Sequence, residues 1–152
     1  MKPIKDLQIL RLLTIAALIV MGPIACRKSN SLAGAKEDPH AQVAQQMIGT
    51  WVHVGSPGQV HDIPEKGRRL KLRTGTHWTI THADAETGLV MSHFGGSYTI
   101  KGDEYVETQE YADATWLHDN GKSFRFKVLI EGNTMTQFGI DNPFHEVWKR
   151  LK

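Results

Sequence analysis

From Ile48 to the end of the chain, apolar and polar residues alternate in short runs, and each run stops at Gly, Asn, Asp or Pro. A period of two places successive side chains on opposite faces of a strand, so this cadence commits the region to β-structure. The runs are rich in Val, Ile, Thr, Tyr, Phe and Trp, which suit a pleated, half-buried surface. Strands are predicted near 49–54, 69–74, 76–82, 89–93, 96–101, 104–111, 123–131, 133–140 and 144–151. Lys101-Gly102-Asp103 and Glu131-Gly132-Asn133 have the chemistry of tight hairpins, and Asp119-Asn120-Gly121 and Asp141-Asn142-Pro143 that of turns. No helix of useful length interrupts them. Short sequential strands joined by tight turns define an all-β antiparallel meander, closed as a barrel or folded as a sandwich.

The first 26 residues follow a different logic. Lys2, Lys5 and Arg11 precede an apolar run from Leu12 to Ile24, and small residues end it at Ala25-Cys26, the pattern of a secretory signal. A helix of that length spans about 20 Å, short of the roughly 30 Å of hydrocarbon in a bilayer, which favours a signal over a permanent span. Gly22-Pro23-Ile24-Ala25-Cys26 resembles a bacterial lipobox, with Pro23 where Leu is usual. That resemblance implies acylation of Cys26, a lipid anchor, and a place in the cell envelope of a bacterium, periplasmic or on the outer surface. Ala33-Gly34-Ala35 offers a rival cleavage site farther from the apolar run. Cys26 is the only cysteine, so no intrachain disulfide forms.

Residues 27–44 are predicted to be a polar tether leading into a short helix, and 45–152 the folded domain. Between Arg27 and His40 there is too little apolar surface to order the chain. After Asp38-Pro39 the stretch HAQVAQQM fits one or two helical turns, with Asp38 as cap and Pro39 in the first position.

The formal charge of +2 belongs to the signal; after Cys26 the chain carries 15 basic and 15 acidic residues. A neutral exported domain is a poor nucleic-acid binder, and no nucleic-acid partner is expected. Basic residues cluster once, at Arg68, Arg69, Lys71 and Arg73. Alternation places Arg69, Lys71 and Arg73 on one face and Leu70 and Leu72 on the other, and the charged face is assigned to solvent. Phe124, Phe126, Val128 and Ile130 share a face, as do Trp78 and Ile80 opposite His77, Thr79 and Thr81; these apolar sets are assigned to the interior. Tyr105, Glu107, Gln109 and Tyr111 share a face opposite Val106, Thr108 and Glu110. Neither side of this strand is plainly apolar, which makes it an edge strand or one with a polar inner side.

Gly49-Thr50-Trp51 opens the first strand and Val147-Trp148-Lys149-Arg150 closes the last. This pair resembles the lipocalin and wider calycin families. The resemblance implies that Trp51 plugs the base of a closed barrel and Arg150 packs across its ring, a contact worth about 0.5–2 kcal/mol. Thr76-His77-Trp78-Thr79, Gly95-Gly96-Ser97-Tyr98-Thr99-Ile100, Tyr105-Val106-Glu107-Thr108-Gln109-Glu110-Tyr111 and Glu146-Val147-Trp148-Lys149-Arg150 look like a small bacterial lipocalin-like family of unknown function. The likeness spans roughly 48–152 and implies an up-and-down β-barrel of about eight or nine strands; Gln109 stands where that family usually has an apolar residue. No established activity comes with it.

Tyr98, Tyr105, Glu107 and Tyr111 are candidate polar groups of a pocket, and Trp78, Phe124 and Phe126 its candidate apolar walls. A mostly apolar pocket with a few placed polar groups suits a small apolar or amphiphilic ligand. The first functional expectation is therefore a membrane-anchored extracytoplasmic binding protein. A barrel filled by its own side chains is the alternative, an interaction or structural lipoprotein with an envelope protein as partner. A third reading is a small acid–base enzyme using Glu107 with His77. There is no Gly-x-Ser-x-Gly elbow and no cysteine in the domain, which argues against a hydrolase. The eight histidines include no His-x-His pair, and His77 and His82 fall on opposite strand faces, so no metal site is expected. His93 and His145 are conceivable haem ligands, but no Cys-x-x-Cys-His motif exists and no cofactor is expected.

Overall fold

A computed structural model describes residues 39–152. Helix α1 (Pro39–Met47) leads into nine strands: β1 (Gly49–Ser56), β2 (Gln59–Val60), β3 (Arg69–Arg73), β4 (His77–Ala83), β5 (Val90–Lys101), β6 (Glu104–Ala112), β7 (Ser123–Glu131), β8 (Thr134–Ile140) and β9 (His145–Arg150). A single 3-10 turn (Leu117–Asp119) lies between β6 and β7. Each strand from β3 to β9 pairs antiparallel with the next, β3 pairs with β1, and β9 returns to β1, so eight strands close into an up-and-down barrel. The two-residue β2 is extra, paired only with the end of β1.

Closure settles barrel against sandwich and leaves β6 no free edge: it lies between β5 and β7. The tight turns follow from glycine at a left-handed position. Gly102 (φ 69°) and Gly132 (φ 59°) each open a two-residue connection, between the pairs Lys101↔Glu104 and Glu131↔Thr134.

The strands expected at 89–93 and 96–101 are one continuous strand, β5. Gly95 and Gly96 mark a close approach of backbones instead of a turn. A Cβ on Gly96 would stand 2.0 Å from the Thr108 carbonyl oxygen, and one on Gly95 2.4 Å from that of Trp78. The ladder shifts here: Gly95 pairs with Tyr111 but Gly96 with Gln109, so Glu110 is the extra residue of a β-bulge.

Helix α1 covers one end of the barrel. Its Met47 is fully buried, and Val43 packs on the same core cluster. Trp51 donates its indole N–H to the Met47 carbonyl at 2.9 Å. The Arg150 guanidinium lies 4.2 Å from the Trp51 ring centroid, donates from Nη1 to the Ile48 carbonyl at 2.7 Å, and from Nη2 to that of Gln46. First and last strands are thus latched together at the end where the helix enters. Cys26, the expected lipidation site, and most of the expected tether lie outside the described residues.

Candidate functional site

The charged face of β3 turns inward. Lys71 is fully buried and Arg73 is 3% exposed, whereas Leu72 is 42% exposed on the outside. This corrects the assignment of Arg69, Lys71 and Arg73 to solvent. Alternation decides which side chains share a face; which face is buried depends on what stands across from it. Facing β3 across the lumen are Glu107 on β6, Gln137 on β8 and Glu146 on β9, all buried. Their acceptors make an interior position tolerable for cations that alone would not be buried.

Glu107 binds the cluster together. Its Oε1 forms an ion pair with Lys71 Nζ, lies 3.5 Å from Arg73 Nη2, and accepts the Tyr105 hydroxyl at 2.5 Å. Arg73 donates from Nη2 to Gln137 Oε1 at 2.7 Å and from Nε to the Tyr105 hydroxyl at 3.2 Å. Nearer the other end of the barrel, Arg69 Nη1 pairs with Glu146 Oε1 at 3.2 Å. The Lys71 ammonium lies 5.0 Å from the Trp78 ring centroid and 5.4 Å from that of Trp148, distances at which ring quadrupoles stabilise a cation. Buried side-chain donors remain without a protein partner among the described residues: Arg73 Nη1, Gln137 Nε2 and Trp148 Nε1.

Burial changes the proton affinities of these groups. Loss of hydration lowers the Lys71 amine to about 8, with Glu107 opposing the shift and Arg73 adding to it. Burial raises the Tyr105 phenol well above its ordinary value, so it stays a hydrogen-bond donor. For Glu146 burial pulls upward, but Arg69 and Lys71 outweigh it and hold the carboxyl below its usual range. His53, near Arg69 and Glu146, is lowered by burial and then by the Arg69 charge.

A cavity of about 40 Å³ adjoins the network. Lys71, Glu107, Arg69, Glu146 and Asp119 supply its charged lining, with Asp119 paired to Lys122, and Trp78, Ile80, Phe94 and Phe126 its apolar walls. Loop residues Trp116 and Phe144 also line it. Trp116 packs on Phe94 with ring centroids 4.9 Å apart, and Phe144 meets Phe124 edge-on at 5.4 Å. The Trp116 loop is held by its own carbonyl, which accepts from Gln109 Nε2 at 2.8 Å. Beyond it an open cleft of about 670 Å³, bordered by His53, His61 and His82, shares Arg69 and Trp116 with the cavity.

The residues singled out in the sequence are only partly brought together. Trp78, Glu107, Phe124 and Phe126 line the cavity. Tyr105 is buried and joined to Glu107. Tyr98 is buried too, but it donates to the Thr74 carbonyl and packs on Tyr105 at 5.2 Å, away from the cavity lining. Tyr111 does not point inward. The bulge at Glu110 breaks the alternation of β6, leaving Tyr111 44% exposed and against His93 at 5.7 Å. His77 and Glu107 do not meet. His77 alternates with the inward Trp78, stands exposed beside the Thr76 hydroxyl at 2.8 Å, and β5 separates its strand from β6. His93 and His145 are exposed, and among the described residues no group of three or more His, Cys, Asp or Glu gathers as a metal site.

Sequence reasoning missed Arg69, Lys71, Arg73, Gln137 and Glu146 as interior groups, and Trp116 and Phe144 as the cover. A signal existed for the first set: Glu107, Gln137 and Glu146 each occupy a strand position that alternates with outward residues, so three acceptors were available for three cations. A signal for Trp116 was its isolation as a large aromatic inside a polar loop.

Fold and site together define a closed antiparallel barrel of calycin-like architecture with an ionic network in its lumen. No protein-family profile matches the chain, and no curated protein matches it.

Proposed function

We propose that the protein is a small-molecule-binding barrel of the lipocalin-like kind, exported and held at the bacterial envelope through a lipidated Cys26. The ligand is amphiphilic. Its polar end meets the Lys71–Glu107 and Arg69–Glu146 pairs, and its apolar part lies against Trp78, Phe94 and Phe126. Trp116 and Phe144 swing aside to admit it from the cleft. The observation that supports this reading is an ionic cluster lining a cavity bounded by barrel strands and by the Trp116 and Phe144 loops. Replacing a buried ion pair by well-packed apolar residues is often neutral or stabilising, so a barrel that only had to fold has little use for one. A purely apolar ligand is disfavoured because it would leave these charges facing hydrocarbon.

The expected export supports the location: a basic n-region, a short apolar run and a lipobox-like Gly22-Pro23-Ile24-Ala25-Cys26. Native mass spectrometry of the full-length chain, released gently from mild detergent and paired with an organic extract, tests the binding reading. A reproducible extra mass lost on denaturation is the expected result. A bare protein mass, unchanged after incubation with an envelope extract, overturns it.

One observation favours a second reading, the filled barrel that contacts another envelope protein. The cavity of about 40 Å³ is close to the volume of one or two waters and far below the several hundred of a typical ligand pocket. Under that reading the lumen charges serve only to fix strand register, and no ligand is recovered.

A further inference from the structure

We propose that Lys71 captures a small aldehyde or ketone as an imine at its Nζ, which makes the cavity a covalent carbonyl-binding site. The inference deepens the binding reading above and rests on it. An imine-forming lysine needs a cavity beside its side chain, a neighbouring group to take and return a proton, and surroundings that keep part of the amine uncharged. Lys71 has all three. Its side chain lines the cavity. Glu107 is in direct contact with its Nζ. Aromatic rings of Trp78, Trp148, Tyr105 and Phe126 surround it within 5.9 Å. The charged and titratable groups around the amine and its cavity are Arg73 and Arg69 from its own strand, Glu107 and Tyr105 from β6, Glu146 from β9, and Asp119 from the 3-10 turn, which is paired with Lys122. Burial is the largest influence and lowers the amine to about 8; Glu107 and Glu146 favour the ammonium form and Arg73 opposes it.

The chemistry closes without any further reactant. Glu107 accepts a proton from the Lys71 ammonium. The freed nitrogen lone pair attacks the carbonyl carbon; a C–N bond forms as the C=O π bond opens, and one N–H proton passes to the alkoxide oxygen, giving a neutral carbinolamine. The proton held by Glu107 returns to its hydroxyl, water departs, and the nitrogen lone pair completes C=N. Ammonium plus carbonyl thus becomes iminium plus water. The cavity of about 40 Å³ is close to the volume of one or two waters, so it holds the carbonyl group itself, and a substituent on it requires Trp116 and Phe144 to move.

The test is reductive trapping on the folded full-length chain with limiting acetaldehyde and cyanoborohydride, followed by peptide mass mapping. At pH 8 an amine titrating near 8 is half neutral, against under about 1% for an ordinary lysine, so Lys71 gains about 100-fold in available nucleophile. Preferential ethylation of Lys71, by at least tenfold over exposed Lys122 and Lys127, is expected. The labelling rate should rise with pH to a midpoint near 8, and the preference should vanish in guanidinium chloride. Lys71→Arg, which keeps the cation, should abolish the site-specific adduct; the wild-type map stands alone if that variant fails to fold. Labelling of Lys71 no faster than exposed lysines overturns the inference. If native mass spectrometry of the same sample still finds a non-covalent ligand, the binding reading survives that failure; if it finds none, both fall.

Discussion

Replacing Glu107 by Gln removes one charge and almost no volume, so its effect reads the electrostatics of the lumen directly. The wild-type interior holds Arg69, Lys71 and Arg73 against Glu107 and Glu146. The variant keeps all three cations, while Glu146 is committed to Arg69 and Asp119 to Lys122. Besides the new amide, Lys71 then has the Gln137 amide oxygen, 3.4 Å away and shared with Arg73, as a hydrogen-bond acceptor. Removing one partner of a buried pair costs about 3–5 kcal/mol, because the remaining charge stays desolvated. Against a total of about 5–15 kcal/mol for a domain, that is a large share of the stability. With a urea m-value of about 1–3 kcal/mol/M, the midpoint should fall by about 1–5 M. Equilibrium urea unfolding at pH 7 reports it through tryptophan fluorescence, since Trp51, Trp78 and Trp148 are buried. The double variant Lys71→Met with Glu107→Gln should lose less than the sum of the single losses, with a coupling of about 1–3 kcal/mol. A Glu107→Gln midpoint equal to wild type at unchanged m-value would refute the ionic account of the lumen.

Other expectations follow from the same geometry. Lys71 releases its proton near 8 when folded and at its ordinary higher value when unfolded. The unfolded chain therefore binds more protons above pH 8, so stability should rise with pH from about 8 toward 10, by up to about 3 kcal/mol, and be fully penalised below pH 8. Urea midpoints of wild type should show this rise relative to Lys71→Met, and parallel pH curves for the two would contradict it. Gly96→Ala drives a Cβ to 2.0 Å from the Thr108 carbonyl oxygen and should cost at least about 2 kcal/mol, whereas Gly75→Ala meets nothing within 4 Å and should be neutral or stabilising by about 0.5 kcal/mol. Thermal melts of the pair check it, and equal melting temperatures would count against the bulge geometry. Arg150→Ala removes the cation over Trp51 and the hydrogen bonds to Ile48 and Gln46. It should cost about 1–3 kcal/mol and speed hydrogen exchange selectively in α1 and the start of β1; a uniform change across the barrel would place the latch elsewhere.

The fold was legible because its signals are local. Gly102 and Gly132 marked their own hairpins, Pro39 marked the start of α1, and alternation correctly grouped Phe126 with Val128 and Trp78 with Ile80. The errors came where a neighbouring strand decided the outcome. Gly95-Gly96 looked like a break because glycine usually supplies backbone freedom; here it supplies room for the carbonyls of Trp78 and Thr108. Tyr111 sat in register with Tyr105 and Glu107 on paper, and one bulged residue turned it outward. Neither event has a signature within the strand it affects.

The inversion of β3 has a deeper cause. An Arg-x-Lys-x-Arg face alternating with leucines reads as solvated when the strand is taken alone, since an unpaired buried cation is prohibitive. In a closed barrel the strand is not alone: Glu107, Gln137 and Glu146 arrive from β6, β8 and β9, between 34 and 77 residues later in the chain. The same pairing that makes burial tolerable makes it informative. Stability alone does not call for a lumen of compensating charges, because an apolar filling serves at least as well. Charges placed where they adjoin a cavity, with one amine lowered to about 8, instead suit the proposed recognition or capture of a polar group. The ionic interior and the small cavity are thus two aspects of one feature, and the trapping experiment on Lys71, read together with native mass spectrometry, separates a lumen that holds a ligand from one that only holds itself.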